Sequence, residues 1–322
     1  MKRLVGIEEA SEEFLTESTK LSILNALTVD VEDYYQVSAF ESVIRFEDWD
    51  RYESRVERNT HRILDILDEH KTQATFFVLG WIAEHYPRLV MEIDKRGHEI
   101  ACHGYSHKLI YKQTESEFRE ETKRAKGSLE EIIQKPVLGY RAASYSITSQ
   151  SIWALDILAE EGFLYDSSIF PIWHDRYGIP GTERFPHRLG LKGQLTLAEF
   201  PLTTLHMGPF VLPIAGGGYL RLLPVWLVQW AIQRIHRQEK EPVVIYLHPW
   251  ELDPGQPRFD ASRISRFRHY LNLHKMEEKF TALFSIFRFT TMREVLTSRG
   301  LLESFPSEAR QVKPKGPLVW AQ

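Results

Sequence analysis

Short apolar runs alternate with amphipathic stretches along most of the chain. Ile23-Leu-Asn-Ala-Leu-Thr-Val29 reads as a strand and leads straight into Asp30-Val-Glu-Asp33. From Asn59 to His70, Ile63, Leu64, Ile66 and Leu67 form a helical stripe. Ala74 to Leu79 is a continuous apolar run closed by Gly80, the pattern of a strand covered on both faces. Trp81 to Lys95 predicts a helix that Pro87 must kink or split. Gly97 to Cys102 is a third strand. Residues 115–133 place Phe118, Thr122, Ala125 and Leu129 at three- and four-residue steps, an amphipathic helix. A fourth strand begins at Pro136 and runs to Tyr140. Ser149 to Glu161 predicts the next helix, ended by Gly162. Phe163 to Tyr165, Thr196 to Phe200 and Val243 to Leu247 supply three more strands, with a helix from Pro224 to about Gln238 before the last.

That order implies a mainly parallel sheet with helices outside it. Acids, histidines and an arginine follow the carboxyl ends of the first, third, fourth and seventh strands. Such scatter suits a barrel mouth, where loops from different strands converge, better than the switch point of an open sheet. The expected organisation is an N-terminal arm over residues 1–22, a barrel over 23–250, a helical extension packed on it over 251–303, and an irregular tail over 304–322. In the extension, Phe280, Leu283, Phe284 and Phe287 recur at helical spacing, and a short helix is expected near Met292 to Leu296.

Composition narrows the function classes. Hydrophobic residues make up 43% of the 322 and charged residues 26%, which argues against disorder. A formal charge of -4 supplies no global positive field for nucleic acid. The single cysteine, Cys102, excludes a disulfide framework and a thiolate cluster, so any metal site must use nitrogen and oxygen. No apolar run is long enough to span a membrane, and the N-terminus has no signal-peptide core, so a cytoplasmic enzyme is expected.

His103-Gly-Tyr-Ser-His107 places two imidazoles four residues apart. If one lies a helical turn beyond the other, both rings share a face and reach one ion. Two imidazoles and a carboxylate make an open site with room for water and substrate. Asp30, Glu32 and Asp33 are the candidate acids: Asp30 as the base that takes a proton from water, and Glu32 or Asp33 as the ligand. Arg141 follows the fourth strand, and its fork suits a bidentate bond to the catalytic aspartate. His248 follows the last strand and can protonate a leaving amine. Asp166 or His174 could hold that histidine, and Trp173, Tyr219 and Trp250 could stack on a sugar ring. The triplet Gly216 to Gly218 lacks the spacing of a phosphate loop; it suits a tight turn or a close backbone approach.

These residues in this order resemble the polysaccharide deacetylases of the NodB-homology type, carbohydrate esterase family 4. The likeness is nearest to the subfamily found with exopolysaccharide and exosortase loci, whose members carry an extra C-terminal region. The family's Thr-Phe-Asp-Asp motif looks here like Thr28-Val29-Asp30 followed by Val31-Glu32-Asp33, and its histidine motif like His103 to His107 with glycine in second place. The Arg-x-Pro-aromatic motif resembles Arg141-Ala-Ala-Ser-Tyr145, without the proline, and the catalytic-acid motif matches Leu247-His248-Pro249.

The resemblance implies a distorted seven-stranded (β/α) barrel and a divalent ion, with zinc the expected metal. It implies removal of N-acetyl groups from amino sugars of a bacterial polysaccharide or its oligosaccharide precursor, with acetate released. Asp166 would be the partner of His248, Leu247 would line the pocket for the acetyl methyl, and Tyr145 would touch substrate. The expected partners are an N-acetylated saccharide and, by association, the polysaccharide biosynthesis machinery. The alternatives are an allantoinase-like hydrolase of another C–N bond and a catalytically inactive carbohydrate-binding scaffold.

Overall fold

The computed structural model describes residues 23–303, so the expected N-terminal arm and the expected tail lie outside the described residues. The strands are β1 (Leu24–Val31), β2 (Thr75–Val78), β3 (Glu99–Cys102), β4 (Gly139–Tyr140), β5 (Tyr165–Asp166), β6 (His187–Gly190), β7 (Thr196–Glu199), β8 (Thr204–Met207), β9 (Phe210–Pro213), β10 (Val244–Leu247) and β11 (Arg288–Thr290). The helices are α1 (Val56–Glu69), α2 (Gly80–His85), α3 (Pro87–Lys95), α4 (Glu115–Ile133), α5 (Trp153–Glu160), α6 (Gly217–Leu222), α7 (Val225–Gln238), α8 (Arg263–Tyr270), α9 (Met276–Phe284) and α10 (Met292–Ser298). Pro87 opens α3 as its first residue, and α2 ends at His85, two residues earlier, because a ring with no N–H is tolerated only in a first turn.

The main sheet has nine strands, in the order β10-β1-β2-β3-β4-β5-β7-β6, with β11 also on β1. Every pairing is parallel except β6 with β7. β1 is buried along nearly its whole length, because β10 covers one edge while β11 and β2 share the other in successive halves. Asn25 ties these strands: its amide donates to the Arg288 carbonyl at 3.1 Å, and its oxygen accepts from the Val243 N–H at 3.0 Å.

The architecture is therefore an α/β fold around a nine-stranded mixed sheet: the seven expected strands are β1, β2, β3, β4, β5, β7 and β10, and β6 and β11 add to them. No ladder joins β7 to β10 among the described residues. In that gap the Thr203 hydroxyl bonds the Val244 backbone, and Gly216 makes an isolated bridge to Tyr246. A Cβ on Gly216 would sit 1.9 Å from the Tyr246 carbonyl oxygen, so the glycine run serves the approach of backbone to β10.

Sequence patterning missed β6 because its His187-Arg-Leu-Gly190 is half exposed, and β11 because three residues carry no period. β11 also shows that the C-terminal region does more than pack outside: it adds a strand, and α10 caps the amino ends of the strands. There the Met292 N–H donates to Thr75 Oγ1 at 2.7 Å and the Arg293 N–H to Glu99 Oε2 at 3.1 Å. Met292, Val295 and Leu296 join the second core cluster with Ala26, Phe77 and Val244. No helix among the described residues is long and apolar enough to cross a membrane.

Candidate metal centre and its flanking acid and base

β1 ends at Val31, and a tight turn follows in which the Glu32 N–H donates to the Asp30 carbonyl at 3.0 Å. This turn leaves Asp30 and Glu32 both facing His248, whose Nε2 is 3.9 Å from Asp30 Oδ2 and 3.5 Å from Glu32 Oε1. Asp33 faces away. Its carboxylate accepts from the N–H groups of Tyr34, Arg55 and Val56 and from the Ser54 hydroxyl, at 2.7 to 3.0 Å. Of the two acids proposed as ligand, Asp33 is thus committed to the start of α1, where the helix presents unpaired N–H groups.

One ring nitrogen each from His103 and His107 and a carboxylate oxygen of Glu32 lie within 4.8 Å of one another, all buried. The two histidines are not a helical pair. They follow β3 on a loop in which Gly104 and His107 both have positive φ, and this turn brings the rings to 5.5 Å between centroids. A backbone carbonyl can only accept, so the 2.8 Å contact of His103 Nδ1 with the Arg141 carbonyl places the hydrogen on Nδ1 and leaves Nε2 with its lone pair outward.

Burial pushes His103 down to about 4 and so keeps it neutral, the form that ligates. Burial also opposes the charge on Glu32, but His107, His248 and His103 outweigh it and hold the carboxyl below the usual carboxylate range. Glu32 Oε2 has no aligned hydrogen-bond donor although His107 Nε2 is 2.7 Å away, and His107 Nδ1 is also buried without a partner. Two nitrogens, one ionised oxygen and unsatisfied buried lone pairs fit a divalent cation.

Asp30 stands beside this cluster rather than in it. Arg141, fully buried, donates from Nη1 to Asp30 Oδ1 and to Thr28 Oγ1, both at 2.7 Å, and from Nε and Nη2 to the carbonyl and hydroxyl of Ser167. One guanidinium nitrogen reaches Asp30, so the bond is single and not the expected fork. The second oxygen, Oδ2, faces His248 and the Tyr145 hydroxyl, 3.5 Å away. Ser144 and Tyr145 both hold positive φ, an unfavourable backbone for residues with side chains, kept by the buried loop around them.

His248 is held by Glu251, not by Asp166. Glu251 Oε2 accepts from the His248 backbone N–H at 3.0 Å and lies 3.3 Å from its Nδ1. Arg221, buried beside Glu251 at 3.2 Å, offsets the carboxylate's charge. Burial disfavours the imidazolium, but Glu251, Glu32 and Asp30 outweigh it and raise the proton affinity of His248. Asp166 instead accepts from the Ser168 N–H and hydroxyl at 2.9 and 2.7 Å, and Ser168 in turn accepts from the Ala142 N–H. Asp166 lies at the end of β5, paired in register with Glu199. His174 likewise turns to Asp175 and stacks on Tyr177.

The expected sugar contacts divide. Trp250 is no platform: His248 and His269 cover its two faces at 5.0 and 4.1 Å, and its Nε1 donates to Glu32 Oε1 at 3.1 Å. Leu247 is wholly buried in the main core. Tyr219 is half-buried, its hydroxyl 3.4 Å from that of Tyr177, while Trp173 is exposed. Sequence reasoning missed Glu251, Thr28 and Ser167. Only Glu251 carried a signal, an acid three residues past His248 that closes a capping box onto it.

Residues 38–160 match the polysaccharide deacetylase family, and residues 167–297 match a domain of unknown function, DUF3473. A peptidoglycan-N-acetylglucosamine deacetylase of Bacillus cereus is 47% identical over 60 residues, 19% of this chain and 22% of that protein. A chitooligosaccharide deacetylase of Bradyrhizobium is 29% identical over 100 residues, 31% of this chain and 43% of its own. The chain thus spans less than half the length of these curated relatives. In fold it is similar to Puue allantoinase, with a TM-score of 0.60 at 13% identity over 89% of this chain and 93% of the other. It is also similar to a probable polysaccharide deacetylase of Pseudomonas aeruginosa, with a TM-score of 0.57 at 13% identity over 88% and 93%. Glu32, His103 and His107 are gathered in the structure, and the segment that matches the polysaccharide deacetylase family, residues 38–160, runs through both histidines.

Proposed function

We propose that the protein is a metal-dependent deacetylase that removes N-acetyl groups from amino sugars of a bacterial polysaccharide or its oligosaccharide precursor and releases acetate. One observation carries this reading: Glu32 lies with the histidine pair while Asp30, two residues earlier, is kept out of the cluster by Arg141 and faces His248. Glu32, His103 and His107 would hold the ion, which when bound polarises an acetamide carbonyl and acidifies water. Asp30 Oδ2 is the oxygen left to accept the proton of the attacking water, because Arg141 and its hydrogen bond occupy Oδ1. His248, with its proton affinity raised by Glu251, Glu32 and Asp30, donates a proton to the departing sugar amine. Glu251 and Arg221 set the orientation of that ring.

Zinc is the proposed ion, and the likeness to deacetylases of the exopolysaccharide loci supports a place in polymer biosynthesis. The test is acetate release from N-acetylglucosamine oligomers by the purified chain, lost on chelation and restored by zinc. Metal-loaded protein that hydrolyses allantoin and frees no acetate would move it to the allantoinase-like alternative. Protein that binds saccharide but neither takes up metal nor frees acetate would make it a scaffold.

A further inference from the structure

Beside the site lies a face that is both apolar and basic. In α8 only His269 is buried; Ile264 and Phe267 are 65% and 61% exposed, and Arg263, Arg266 and Arg268 are exposed with them. The helix is anchored from beneath. The His269 ring stacks on Trp250, which stacks on His248, so α8 is two rings away from the reacting histidine. Arg221 fastens it by donating to the carbonyls of His269 and Arg268 at 2.7 and 2.9 Å.

Other exposed apolar groups adjoin this helix. Leu222, next to Arg221, is 56% exposed, and the Arg221 carbonyl bonds Asn272 just past α8. Arg176 donates to the Ser38 carbonyl at 3.3 Å, two residues before Phe40, whose ring lies 4.7 Å from that of His269, and Trp173, three residues before Arg176, is 82% exposed. Among the described residues, the carboxylate paired with the arginines of α8 is that of Asp260, 3.9 Å from Arg266.

We propose that this face docks on an anionic lipid bilayer, with Trp173, Leu222, Ile264 and Phe267 entering the headgroup boundary while Arg263 and Arg266 meet lipid phosphates. Two arguments favour this occupant. Ile264 and Leu222 offer no flat ring for sugar stacking, whereas aliphatic and aromatic groups interleaved with arginine suit a membrane interface. The chain's charge of -4 makes a local run of three exposed arginines, of which Arg266 has the exposed Asp260 at 3.9 Å, a specific complement to anionic lipid, not a general field. An eight-residue helix is about 12 Å long against a core of about 30 Å, so it lies on the surface and does not span it. Docking holds the site, two stacked rings from α8, near saccharide carried at a membrane, a consequence that rests on the deacetylase reading; the docking itself does not.

The test is co-sedimentation of the full chain with vesicles of phosphatidylcholine alone or mixed with phosphatidylglycerol. Binding is expected to the mixed vesicles and to weaken in high salt. The double variants Ile264→Ser/Phe267→Ser and Arg263→Glu/Arg266→Glu are each expected to bind at least about ten-fold more weakly, since one basic group near such a surface is worth about five-fold. Their circular dichroism and Tm, unchanged from wild type, show that the fold is kept. No binding to mixed vesicles overturns the proposal, as does equal binding by the variants. Loss of a wild-type dimer in the same variants without vesicle binding assigns the face to self-association and also overturns it. Vesicle binding without acetate release removes the catalytic reading and leaves the docking standing.

Discussion

Glu32 and Asp33 are adjacent acids at the end of one strand, and replacing each in turn should separate a ligand from a structural anchor. Asp33→Ala removes four accepted hydrogen bonds and leaves the N–H groups of Tyr34, Arg55 and Val56 with no partner at a buried helix start. An unpaired buried donor costs about 1–3 kcal/mol and a lost helix cap about 0.5–2 kcal/mol. Against this, burial raises the Asp33 pKa, so its removal also relieves a desolvated charge. The balance is a loss of about 3 kcal/mol, a fall in Tm of roughly 4–5 °C for a chain of this size. Zinc affinity, read by competition with a chromophoric chelator, should stay near that of wild type. Glu32→Gln keeps the shape and the oxygen that Trp250 bonds, but removes the ionised ligand. Its zinc affinity should fall by on the order of 100-fold or more, beyond the 10–100-fold cost of losing a merely supporting partner. Wild-type zinc affinity in Glu32→Gln, or metal loss without thermal destabilisation in Asp33→Ala, would refute this division.

Asp30→Asn should retain zinc while acetate release falls by about 100-fold or more, the usual contribution of a positioned base; loss of metal in that variant would place Asp30 among the ligands. Glu251→Gln should lower kcat by about 10–100-fold, since outer partners of a reacting imidazole carry effects of that size, with little change in zinc content. Asp166→Asn, expected from the resemblance to do the same, should leave kcat much closer to wild type. Burial and the neighbouring Asp166 raise the Glu199 pKa well above the usual range, and Asp166 is raised too. The folded state therefore keeps protons that the unfolded chain releases, and this contribution to stability is complete below the ordinary carboxylate pKa and fades as pH rises through the raised values. Glu199→Gln should flatten that decline in denaturant midpoints measured across the pH range; an unchanged slope would contradict it.

The alternation of apolar runs and amphipathic stretches determined the strand and helix order, because a two-sided buried strand and a one-sided helix leave different periods in any sequence. The helix over 115–133 and the break at Pro87 were legible for that reason. So were the identities of His103, His107, Asp30, Arg141 and His248, since each lies at or within a few residues of the carboxyl end of a strand. What stands opposite each of them is a matter of packing. Adjacent residues at the end of β1 separate into Glu32 beside the histidines and Asp33 beneath α1 because the chain turns at Val31, and no local pattern records which way. Glu251 displaced Asp166 as the partner of His248 because a short helical turn folds residue 251 back onto 248, whereas the end of β5 opens toward β7. The missing β7–β10 ladder and the strand contributed from residues 288–290 likewise depend on contacts between segments far apart in the chain, where Thr203, Gly216 and Asn25 meet backbone that sequence spacing cannot place.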